Sequence, residues 1–92
     1  MTLPFEIEVV GPDGAFVLAR QLEGNAFRIV SGARLGDVEV SGFSQPLLKD
    51  DAGEPRLDVF LFRAKDRAAA RTLRPGQRVE LRAEPALLPE LN

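Results

Sequence analysis

The chain contains no cysteine and no histidine. The first absence excludes a disulfide framework, a thiolate metal site and a cysteine nucleophile. The second removes the commonest general base and the commonest metal ligand. No apolar run approaches the length of a membrane span. The opening Met1-Thr2-Leu3-Pro4 has neither a basic start nor an apolar stretch behind it, so no signal peptide is expected and a cytoplasmic location is the default. No Gly-x-x-x-x-Gly-Lys-Ser/Thr loop is present to cradle a nucleotide's phosphates. Ser31, Ser41 and Ser44 have no His or Cys partner, and only Lys49 and Lys65 for a Ser-Lys arrangement. The expectation is a protein without catalytic residues, bound metal or cofactor.

What is present suits one compact domain. The 92 residues leave no room for two cores, and 45% hydrophobic with 28% charged residues is an ordinary globular composition. Eight Gly and seven Pro punctuate the chain often, as many short strands require. The net charge of -2 is unevenly spread. Residues 1–55 hold nine acids against four bases, residues 56–82 hold eight bases against three acids, and the last ten residues add two Glu. Such asymmetry can steer a charged partner.

Phe5-Glu6-Ile7-Glu8-Val9 alternates strictly, with Phe5, Ile7 and Val9 on one face of a half-buried strand. Gly11-Pro12-Asp13-Gly14 is a turn. Ala15 to Leu22 forms a second strand, Glu23-Gly24-Asn25 turns, and Ala26 to Val30 forms a third. The stretch Gly32 to Gly42 organises the chain: a tight Leu35-Gly36-Asp37 turn feeds a fourth strand in which Val38 and Val40 face one way and Asp37, Glu39 and Ser41 the other. Asp50-Asp51-Ala52-Gly53 is the tip of a long hairpin. Arg56 to Arg63 is a fifth strand, apolar on both faces, with Leu57, Val59 and Leu61 opposite Phe60 and Phe62. Ala64 to Thr72 favours a helical turn, which Leu73-Arg74-Pro75-Gly76 ends. Gln77 to Ala83 returns as a sixth strand with Val79, Leu81 and Ala83 inward. The tail from residue 84 to 92, carrying Leu87, Leu88 and Leu91, is expected to pack on this body. Six short strands and one helical turn argue for a small, closed, all-β barrel, in which closure removes exposed strand edges.

Gly14-Ala15-Phe16-Val17-Leu18-Ala19-Arg20, then Gly24, then Leu35-Gly36-Asp37-Val38-Glu39-Val40 and Gly42 resemble the second domain of elongation factor Tu and related translation factors. Phe62-Arg63 resembles that family's Phe-Arg/Lys strand end, and Leu73 to Leu81 its return strand. The resemblance runs over roughly residues 4 to 83 and implies a six-stranded Greek-key barrel of translation-protein type, here without a GTPase domain. Two positions depart from the family. Glu8 stands where the family places an aromatic at the pocket for the aminoacyl end of tRNA, and a carboxylate offers an adenine no stacking plane. Pro12-Asp13-Gly14 replaces a Gly-Arg-Gly turn, exchanging a base for an acid.

Candidate contact residues follow from pattern. Arg63, Arg67, Arg71 and Arg74 are spaced at four, four and three, which on a helix forms one basic stripe. The stripe suits phosphates or an acidic protein face, or is a solvated surface. Phe60 and Phe62 are either a partner-binding patch or core residues beneath a helix or the tail, with Leu87 and Leu88 as natural covers. The paired carboxylates Glu6 with Glu8 and Asp37 with Glu39 sit on the polar faces of their strands. Asp50, Asp51 and Glu54 do not fit a calcium loop. The functional expectation is a non-catalytic binding module with a protein partner, or a ribonucleoprotein one in which RNA is bound. Two alternatives are a small ligand-binding protein or enzyme, and a scaffold subunit of an oligomer.

Overall fold

In the computed structural model, which describes residues 1–24 and 26–85, the first strand β1 (Thr2–Val10) is the longest and lies at the seam where the barrel closes. It pairs with β2 (Phe16–Gln21) on one side and with β7 (Arg78–Arg82) on the other. Between them come β3 (Phe27–Arg28), β4 (Arg34–Leu35), β5 (Val38–Ser44) and β6 (Val59–Ala64). A helical turn, α1 (Arg67–Ala70), follows β6, and β8 (Glu84–Pro85) follows β7. The closed barrel has the order β1-β2-β6-β5-β4-β7, and every pairing in it is antiparallel. The strands β4, β5 and β6 are consecutive neighbours, and β7 returns to lie beside β4, which is a Greek key.

The third expected strand does not join this barrel. Phe27–Arg28 pairs instead with Glu84–Pro85 in a separate two-stranded sheet. Its barrel position is taken by Arg34–Leu35, a strand too short to alternate visibly in sequence. The turn that follows is the expected one. Gly36 adopts φ +61° while Asp37 stays at negative φ, so glycine occupies the first central position of a two-residue hairpin loop.

Two bulges set which residues face inward. In β1 the register shifts between Ile7 and Val9, leaving Glu8 as the extra residue. Leu3, Phe5 and Ile7 point into the core, but beyond the bulge the parity reverses. Val9, expected inside, is 54% exposed, and Val10 packs against the core instead. In β5 a shift between Val40 and Gly42 does the same, so that Val38, Val40 and then Phe43 look inward. The fifth expected strand starts later than expected, at Val59, and Leu57 stands off it, 71% exposed.

The core is a continuous cluster that includes Phe5, Ile7, Val17, Leu35, Val38, Val40, Phe62 and Leu81. Phe5, Phe27, Phe43, Phe60 and Phe62 form a linked network of edge-on and tilted ring contacts 4.9–6.4 Å apart. One end of the barrel is capped by α1, whose Ala70, with Leu73 just beyond it, is buried in the core. Asp66 caps the helix by accepting from the Ala69 amide at 3.1 Å. The approach is close enough that a Cβ on Gly14 (φ +75°) would lie 2.2 Å from the Arg67 carbonyl oxygen. Among the described residues no helix is long and apolar enough to cross a membrane.

Candidate partner-binding surfaces

The strand β6 runs from the aromatic end of the barrel to the end capped by α1, and it carries candidate residues toward both. Phe60 and Phe62 share its inward face. Phe62 is fully buried, its ring against Phe5, Phe27 and Phe43, and so it offers no surface to a partner. It lies in the core cluster inside the closed barrel. Phe60 is half-buried at the other end of the strand. With Phe27, Phe43, Leu57 and Gln45 it lines an open, largely apolar recess of about 430 Å³. Leu87, Leu88 and Leu91, the expected covers, lie outside the described residues.

The four arginines do not share one helical face. Only Arg67 lies within α1; Arg63 is on β6, Arg71 is the residue that ends the helix, and Arg74 is in the following turn. All four are exposed and gather around the α1 end. Arg67 sits 3.6 Å from the Asp13 carboxylate. Asp13 is held below its ordinary pKa chiefly by the Ala15 amide it accepts from, and further by Arg67 and Arg71. Among the described residues Arg63 and Arg74 have no carboxylate within ion-pair distance. The arginine end and the Phe60 recess are therefore two separate surfaces, at opposite ends of the barrel.

Of the paired carboxylates, Glu6, Glu8 and Glu39 are engaged in ion pairs. The bulge at Glu8 aims its carboxylate at Arg56, which grips it with both arms of the guanidinium, one at 3.0 Å. That grip raises the Arg56 pKa above its ordinary value. Arg20 bridges the same cluster, 3.5 Å from Glu6 and 3.7 Å from Glu8. Glu39 pairs with Lys65 at 2.9 Å, and the hydrogen bond from that ammonium holds its carboxyl below the ordinary range. Asp37 is exposed, and its backbone carbonyl accepts from Arg34. At the long hairpin's tip the Asp50 Oδ1 accepts from the Ala52 and Glu54 amides, each at 2.9 Å, so it serves the turn. No metal-holding group of His, Cys, Asp or Glu occurs among the described residues. An open cleft of about 890 Å³ runs between residues 20–24 and 55–58, and both of its arginines, Arg20 and Arg56, are committed to the Glu6–Glu8 cluster.

One apolar surface has no counterpart in the expectations from sequence. On the outer wall, the register places Val9, Leu18 and Leu61 in one row across β1, β2 and β6, and pairs Phe16 with Arg63 beside it. Val9 is 54% and Phe16 45% exposed, and none of the four apolar residues belongs to the core. The signal for this row was the double-faced apolar pattern of β6, but the β1 bulge that turns Val9 outward was not visible.

No protein-family model, curated protein or solved structure matches the chain.

Proposed function

We propose that this barrel is a non-catalytic binding module, of the kind that the second domain of elongation factor Tu exemplifies, acting on a protein or ribonucleoprotein partner. The observation that carries the reading is the α1 end of the barrel. Arg63, Arg67, Arg71 and Arg74 are all exposed there, and Asp13 is the acid that answers Arg67. A chain of net charge -2 that gathers four of its ten arginines at one end offers an anionic partner a defined place to land. The resemblance in the glycine turns and in the order of the strand motifs supports the barrel type. Glu8, at the position of the family's stacking aromatic, is bound to Arg56, which speaks against holding an aminoacylated adenine in the family's manner.

The test is capture from native lysate by the purified chain, with and without ribonuclease, compared with the Arg67→Ala plus Arg71→Ala variant. A partner retained by the wild type and lost by the variant is the expected result. If that partner is RNA, affinity falls steeply with salt, and the variant lowers the log–log slope by about 1 to 1.5. Capture that is indifferent to both substitutions and to salt overturns the assignment of this surface.

A further inference from the structure

We infer that the outer wall formed by Val9, Phe16, Leu18 and Leu61, edged by Arg63, is a docking surface for a protein segment that presents apolar side chains flanked by carboxylates. The inference rests on the binding-module reading and names the partner chemistry.

The wall has two apolar levels that are treated differently. Val59 projects from the same outer face of β6, in register with Arg20, and is fully buried beside the Glu6–Arg20–Glu8–Arg56 cluster. The next row, Val9–Leu18–Leu61, has no such cluster over it among the described residues, and Phe16 extends it toward α1. The bulge at Glu8 is what produces the contrast. It sends one carboxylate to Arg56 and turns Val9 out beside Leu18, where unbroken alternation would have placed Val9 in the core. An apolar row that a bulge turns toward solvent costs stability, and such patches mark interaction surfaces.

The charge at its edge selects the partner. Arg63 stands opposite Phe16 with no carboxylate within ion-pair distance among the described residues; beyond it lie Arg71, which ends α1, and Arg67, which shares its charge with Asp13 at 3.6 Å. A partner with acidic groups beside its apolar ones meets these guanidiniums, while a basic one is repelled. Because the barrel is closed, its strands β1, β2 and β6 have no free backbone edge, and recognition falls to side chains. A nucleic acid is the poorer fit, since Val9, Leu18 and Leu61 provide no plane for a base to stack on.

The experiment pans the full chain against a display library of random short peptides. Enriched peptides are then titrated into the chain while backbone amide shifts are followed. Peptides combining Leu, Ile, Val or Phe with Asp or Glu are expected, with shifts centred on Val9, Phe16, Leu18, Leu61 and Arg63. Phe16→Glu weakens binding about tenfold or more. Arg63→Glu moves the selection toward Lys- and Arg-bearing peptides. Phe16 and Arg63 are exposed, so unchanged thermal unfolding verifies that both variants fold. The inference is overturned by any of four results: no enrichment; enrichment of basic peptides; shifts confined to the Phe43–Phe60 recess; or the same amides responding to single-stranded RNA. Self-association abolished by Phe16→Glu overturns it too, by showing that a second copy occupies the wall. Failed panning alongside Arg67/Arg71-dependent lysate capture removes this surface and leaves the binding-module reading standing.

Discussion

At the scale of the residue, Gly14 marks where backbone meets backbone most closely. Gly14 combines φ +75° with a virtual Cβ 2.2 Å from the Arg67 carbonyl oxygen, so a methyl there meets both backbone strain and a collision. Gly32 has φ +90° but open space around its Cβ position. Gly14→Ala is therefore expected to cost roughly 2–4 kcal/mol, and Gly32→Ala roughly the 1–2 kcal/mol of strain alone. Urea unfolding of the two variants measures the difference, and equal losses would mean that α1 does not press on the hairpin turn. Phe62 is fully buried within the aromatic cluster, and Phe62→Ala is expected to cost about 3–5 kcal/mol by the same measurement. Most inward residues were legible from alternation: Phe5, Ile7, Val38, Val40 and Leu81 all face the core as their spacing indicates. Val9 was not, because a bulge changes parity without leaving a mark in composition.

At the scale of elements, turns were more legible than strands. The turns at Gly11–Gly14, Gly36–Asp37 and Asp50–Gly53 all form, since each needs a residue type that few other positions tolerate. Strands of two residues, such as β4, have no period to detect. The arginine stripe failed as a helical face for a related reason. The helix spans only Arg67–Ala70, between its Asp66 cap and the Pro75–Gly76 turn. A spacing of four, four and three therefore crosses a strand, a helix and a loop. The link between β6 and α1 bears an acid-sensitive pair. Glu39, tied to Lys65, has its carboxyl below the ordinary value of 4.5, and Asp13, tied to the Ala15 amide and Arg67, lies below 3.8. A carboxylate depressed in the folded state stabilises above its unfolded pKa, and that contribution is lost as pH falls through the folded value. Stability should hold at neutral pH and decline on acidification below about pH 4.5. Glu39→Gln should flatten this acid limb, as read from urea midpoints across the range; an unchanged limb would show that the Lys65 pair is not coupled to folding.

Across the whole molecule, stability depends on closing a ring whose seams differ in length. The β1–β7 seam pairs Thr2 to Glu6 with Arg78 to Arg82, whereas β4 joins each neighbour through only Arg34 and Leu35. Hydrogen exchange should therefore find the β4 amides opening locally, well below the global free energy, with β1, β2 and β6 the most protected. Uniform protection would indicate a ring that opens only by unfolding entirely. By itself, the sequence determined an all-β body with one helical turn, the absence of thiol and imidazole chemistry, and the positions of the turns. These follow from residue type and local spacing. The tertiary structure alone decided the rest. It moved Phe27–Arg28 out of the barrel and placed Arg34–Leu35 in it, buried Phe62, separated the arginines from the Phe60 recess, and turned Val9 outward to complete an apolar row with Leu18 and Leu61. The physical reason is common to all of them. Which face of a strand is inside depends on the register with its neighbours, and register belongs to pairs of strands distant in the chain, not to either strand alone.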